Sequence, residues 1–89
     1  MADVWVAVLM ISERVAQKII QRHGIEVAEL RDAVVCVEGL PGRWDDDPER
    51  GRRALLDVVI RNRTATFVLY PLEHPMGDAW NLGSVYFAA

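Results

Sequence analysis

Between Arg53 and Tyr70 the chain alternates apolar and polar residues twice, with a short break between the two runs, and no other stretch constrains its fold as much. In residues 53–61, Ala54, Leu56, Val58 and Ile60 fall on one side, and Arg53, Leu55, Asp57, Val59 and Arg61 on the other. A period of two is the repeat of a β-strand with one face buried. With Asn62-Arg63 as a two-residue turn, Arg61 pairs with Thr64, and the next strand puts Ala65, Phe67 and Leu69 on the same apolar face. The opposite face then collects Arg53, Asp57, Arg61, Thr64, Thr66 and Tyr70. Such a hairpin needs cover on one face only, and the rest of the sequence must supply it.

Two amphipathic segments upstream suit that purpose. Ser12 can N-cap a helix, Glu13 stands in the first turn where the helix dipole favours an acid, and Gly24 is placed to end it. Between them Val15, Ala16, Ile19, Ile20 and His23 recur at helical spacing, while Arg14, Gln17, Lys18, Gln21 and Arg22 take the other side, which predicts a helix over 13–23. After Gly24, Ile25 introduces a second helix in which Val27, Leu30, Ala33 and Val34 share a stripe and Glu26, Glu29, Arg31 and Asp32 face water.

The remaining segments read as strands and loops. Residues 4–11 are apolar on both parities, the pattern of one strand covered on both faces or packed at a sheet centre. Residues 39–51 hold Pro41, Gly42, Pro48 and the run Asp45-Asp46-Asp47 without periodicity, the pattern of an exposed loop. Pro71 to Pro75 interrupts the chain, Met76-Gly77-Asp78 turns it, and the uncharged stretch from Trp80 to Phe87 is a last strand. The expected order is βααβββ, an α+β fold with two N-terminal helices packed on one face of an antiparallel sheet.

Eighty-nine residues suffice for a single domain, 1–89, and 52% hydrophobic content is enough to build its core. The net charge of −3 argues against a surface coated with positive charge. Nine of the ten basic residues are nevertheless Arg, the side chain that grips phosphates and carboxylates as a fork, and codon bias gives the same skew. The single Cys36 cannot form an internal disulfide and reads as a buried thiol in a reducing, cytoplasmic setting. The apolar run at 4–11 is too short to cross a bilayer and has no basic segment before it, so neither a membrane span nor a signal peptide is expected.

Two constellations can carry chemistry. On the polar sheet face, Arg53, Arg61 and Tyr70 could bind phosphate with Asp57 orienting them; the same pattern also fits an ordinary solvated face with cross-strand charge pairing. His23, at a helix C-terminus, could transfer protons or bind phosphate, or could simply cover the edge of the core. Asp45, Asp46, Asp47 and Glu49 lack the alternating ligands of a calcium loop, and no zinc spacing exists, so no metal is expected. Ser12 and Ser84 lack a nucleophile-elbow context, and the absence of a glycine-rich phosphate loop argues against nucleotide cofactors.

Lys18 to Val35, KIIQRHGIEVAELRDAVV, resembles the K/R-H-G-I/V signature and following helix of BrnT-like toxins. Glu49-Arg50-Gly51-Arg52-Arg53 leading into RALLDVVI resembles the charged loop and central hairpin of the same proteins, and the likeness covers roughly residues 12–87. It implies a RelE-like toxin of a bacterial type II toxin–antitoxin system: a metal-independent endoribonuclease, without cofactor, that holds RNA on the sheet face opposite its helices and is neutralised by a cognate antitoxin. In such enzymes a 2′-hydroxyl attacks the adjacent phosphate. The resemblance implies phosphate stabilisation by Arg53, proton transfer by His23 or Tyr86, and RNA contacts from Arg22, Arg52, Arg61, Arg63 and Tyr70. BrnT-like members carry an arginine-containing stretch in the final strand, where this sequence has WNLGSVYF. The alternative is a noncatalytic protein-interaction module of the same fold, binding a partner or a second copy through the uncharged last strand.

Overall fold

The structure, a computed structural model, describes residues 2–73 and 77–87. The chain runs β1 (Ala2–Val4), β2 (Val8–Met10), α1 (Glu13–His23), α2 (Val27–Val34), β3 (Leu40–Asp47), β4 (Gly51–Ile60), β5 (Arg63–Pro71) and β6 (Ala79–Phe87), an α+β arrangement. All six strands form one sheet in the order β1-β3-β4-β5-β6-β2. Neighbours are antiparallel except β2, which lies parallel to β6, so the sheet is mixed rather than purely antiparallel. The two edge strands are consecutive in the chain with only residues 5–7 between them, and this short link requires the sheet to curl until its edges approach.

The expected single strand over 4–11 is therefore two strands at opposite edges. Val4 and Val6 are buried in period two, but the next buried residue is Leu9, so the parity breaks at Ala7. An all-apolar run conceals such a break, because every residue in it could face the core. Between β1 and β2, Val6 bridges to Val35 and its carbonyl accepts from the Cys36 amide at 2.8 Å.

Residues 39–51 are likewise not a loop, because most of them form β3, which pairs antiparallel with β4. Asp45 stands opposite Arg53 and Asp46 opposite Arg52, and opposite charges facing across a ladder stabilise a strand of poor intrinsic propensity. The turn is confined to 48–50, where the Asp47 carboxylate accepts from the Glu49 amide at 2.9 Å and the Arg50 amide at 3.4 Å. The β4–β5 turn is Arg61-Asn62 rather than Asn62-Arg63. Both residues have positive φ, 52° and 64°, as a type I′ hairpin turn demands, and Ile60 pairs with Arg63. Relative to the expected pairing the register slides by two residues, so the buried face keeps its membership while Leu56 opposes Phe67 instead of Leu69.

Both helices form as their caps dictate. The Ser12 hydroxyl accepts from the Val15 amide at 3.2 Å, and Gly24, at φ 66°, donates its amide to the Ile20 carbonyl at 2.8 Å. They bring Ile19, Leu30 and Val34 onto the face carrying Ala54, Leu56, Val58, Ala65, Phe67, Leu69 and Val85, with α2 against β4 and α1 against β6. Ile20, placed by spacing in the core stripe, is exposed instead. Cys36 is also exposed, at φ 57°, because the chain turns sharply after α2 and leaves its side chain outside the core. The expected turn at Met76-Gly77-Asp78 and the interruption reaching Pro75 fall partly outside the described residues. Among those described, no helix is long and apolar enough to cross a membrane.

Candidate functional site

Strand β2 pairs with β6 only at Ala79–Asn81. Beyond Asn81, among the described residues, no strand lies on that side of β6, and α1 runs alongside it. Between helix and strand lies a groove of about 300 Å³. Helical spacing puts Val15, Ile19 and His23 on its inner wall and Lys18 and Arg22 at its rim, while residues 83–87 of β6 form the facing wall. The His23 imidazole stacks on the Phe87 ring with centroids 4.7 Å apart at a 52° tilt. Tyr86, one residue away, is 60% exposed.

The groove thus holds His23 of the three residues assigned to catalysis, with Arg22 beside it; Tyr86 borders it by strand position, but stands opposite Thr66 and so projects from the other sheet face. Arg63 stands close by, its guanidinium carbon 4.6 Å from the centre of the Phe87 ring. Arg53 does not line the groove. On β4 its Nε and Nη2 reach Asp45 Oδ2 at 2.8 and 2.7 Å, and its Nη1 lies 3.4 Å from Asp47 Oδ2 and 3.5 Å from the Tyr70 hydroxyl. Tyr70 in turn donates to Asp47 Oδ2 at 3.0 Å. Hydrogen bonding to Tyr70 and Asp45 holds the Arg53 guanidinium still more firmly protonated than an ordinary arginine. The Glu49 amide, then the Tyr70 hydroxyl, keep the Asp47 carboxyl below its usual range.

The same compensation extends over the open sheet face and to Arg61, which the turn removes from that face. Arg43 lies 3.6 Å from Asp57, which also accepts from the Thr66 hydroxyl at 2.7 Å. Arg61, at the hairpin turn, forks onto Glu29 of α2, with Nε to Oε2 at 2.8 Å and Nη2 to Oε1 at 2.5 Å, and this pair lowers the Glu29 pKa. Arg52 instead stacks on Trp44, 4.1 Å from that ring centre, and Arg50 lies 4.8 Å from the Tyr70 ring centre. Of the two readings of this face, phosphate binding and cross-strand charge pairing, the contacts match the second for Arg43 and Arg53.

A further set of cations, without a carboxylate partner among the described residues, lies on α1. Arg14, Lys18 and Arg22 follow one another at a spacing of four along α1, and no ion pair is found for any of them among the described residues. Residues four apart stack on one helix face, so they form a basic stripe bordering the groove. The spacing was legible in the sequence, but a polar helix face reads by default as solvated. Tyr70 also reaches the groove wall. A bulge between Val68 and Leu69 leaves Gly83 beside it, and a Cβ at Gly83 would run into the Tyr70 ring. No group of three His, Cys, Asp or Glu residues able to hold a metal occurs among the described residues.

The arrangement offers an imidazole and two cations in one cleft, side-chain types that can move a proton beside a phosphate. No family model, curated protein or solved structure matches the chain.

Proposed function

We propose that this chain is a metal-independent endoribonuclease of the type II toxin kind, RelE-like in layout, whose reaction centre is the groove between α1 and β6. One observation carries the reading: His23 lies in a groove with Lys18 and Arg22, whereas Arg43 and Arg53 of the open face and Arg61 of the hairpin turn are engaged by carboxylates. In this reading RNA phosphates follow the Arg14, Lys18 and Arg22 stripe, and the exposed Tyr86 ring offers a surface for a base.

His23 removes the proton from a 2′-hydroxyl, whose oxygen forms a bond to the adjacent phosphorus as the bond from phosphorus to the 5′-oxygen breaks. A proton from solvent reaches the departing 5′-oxygen, and the products are a 2′,3′-cyclic phosphate and a 5′-hydroxyl. Lys18 and Arg22 stabilise the charge that builds on the phosphate oxygens. Arg53 acts at one remove, because it bonds the Tyr70 hydroxyl and the Tyr70 ring backs Gly83 of the groove wall. A neutralising partner covers the groove in the resting cell.

The test is incubation of the purified protein with single-stranded RNA in excess EDTA. Cyclic-phosphate ends are expected, with His23→Ala slowing the reaction by about 10²- to 10⁴-fold; intact RNA contradicts the reading. In cells, induced expression should arrest growth and co-expression of the adjacent gene should restore it. The strand-free edge of β6 beyond Asn81 favours a second reading, a noncatalytic module that accepts a partner or second copy as an added strand. Folded protein that leaves both RNA and growth untouched but self-associates through β6 would decide for it.

A further inference from the structure

All three tryptophans of the chain line one pocket of about 420 Å³. Trp5 comes from the link between β1 and β2, Trp44 from β3 and Trp80 from β6, so the curl of the sheet is what brings them together. Trp80, only 5% exposed, is the most deeply set; its indole N–H donates to the Trp5 carbonyl at 3.0 Å, and its ring lies 5.8 Å from that of Trp44 at a 37° tilt. Trp5 and Trp44 remain 43% and 45% exposed. Two large rings left in water beside a third are an unfavourable use of apolar surface unless something covers them.

The charge around the rings states what that is. Asp3 and Asp78 line the pocket, and an adjoining depression adds Glu38 beside Trp5. No Lys or Arg lines either hollow among the described residues. Aromatic faces rimmed by carboxylates attract cations, and Trp gives the strongest such attraction. Trp44 already takes one within the chain: Arg52 stacks on it at 4.1 Å without lining the pocket.

We propose that this pocket binds a quaternary ammonium group. A primary ammonium or a guanidinium keeps several N–H donors that need acceptors and hold water strongly, whereas a quaternary ammonium presents a methyl skin and no donor, which indole walls match. The group can belong to a free trimethylammonium compound or to a trimethylated lysine of a protein. The site is separate from the groove and independent of any ribonuclease activity.

Because every tryptophan lies in the pocket, intrinsic fluorescence reports on it directly. The probe is choline, titrated at constant ionic strength against 3,3-dimethylbutan-1-ol, its uncharged isostere. A saturable change is expected for choline, with the isostere at least about ten-fold weaker, the order of discrimination that a partly desolvated cation–π contact provides. Trp44→Leu should weaken choline several-fold with circular dichroism unchanged. A peptide carrying trimethyllysine, run in parallel, shows by the tighter ligand which source the pocket suits. A linear response to choline, equal response to the isostere, or indifference to Trp44→Leu would overturn the proposal. If Trp44→Leu fails to fold, the indole N–H resonances of the unmodified protein serve instead: choline must move those of Trp5 and Trp44, and unmoved signals overturn it equally.

Discussion

Tyr70 covers Gly83 so closely that no Cβ fits between them, and the same tyrosine accepts a hydrogen bond from Arg53 and donates one to Asp47. One side chain therefore joins the charge ladder of the open sheet face to the wall of the groove. Gly83→Ala must displace the ring or the strand, at an expected loss of roughly 1–3 kcal/mol. Denaturant unfolding measures it. In a Tyr70→Ala background the same substitution should cost much less, and an unchanged cost would mean that the ring is not the obstacle.

Acid should erode stability through two named carboxylates. Hydrogen bonding to Arg61 lowers the Glu29 pKa from its ordinary 4.5, and the Glu49 amide lowers that of Asp47 from 3.8. A folded-state pKa below the unfolded one means that the unfolded chain binds protons first as pH falls. The contribution is thus present above the unfolded values and is lost as pH drops through and below them. Urea midpoints measured between about pH 6 and about pH 3 should decline, and Glu29→Gln should flatten the decline.

The hairpin turn offers a backbone test. Asn62 sits at φ 64°, where a β-branched residue is strained and glycine is at ease. Asn62→Val should destabilise by about 1–2 kcal/mol, while Asn62→Gly should be neutral or stabilise slightly. Thermal unfolding of the two variants separates these outcomes.

The basic stripe on α1 makes a prediction about salt. If Arg14 and Lys18 contact RNA phosphates, replacing either by Ala should weaken binding and reduce the slope of log K against log salt by about 0.7. Arg43→Ala, on the charge-paired face, should leave that slope unchanged.

The hairpin faces and both helices were legible in the sequence because period two and period 3.6 are properties of the residues themselves. Gly24 and Ser12 act as their types suggest. What escaped depends on partners far along the chain. Asp45-Asp46-Asp47 resembles a loop until Arg53 and Arg52 stand opposite it, and residues 4–11 conceal a parity break because every position is apolar. The site was half legible: His23 was a candidate from its place on the helix, but the groove it lines follows from a β2 too short to cover β6. The resemblance assigned Arg53 to phosphate, but carboxylates two strand positions apart on β3 engage it, and spacing alone gave no sign of that.

The central claim is that RNA is held in the groove between α1 and β6. Its most direct test is backbone amide NMR during titration with a short single-stranded RNA made uncleavable by 2′-O-methyl groups. The largest shifts are expected in residues 14–23 and 83–87; shifts concentrated in 53–57 and 64–70, or none at saturating RNA, would contradict the account.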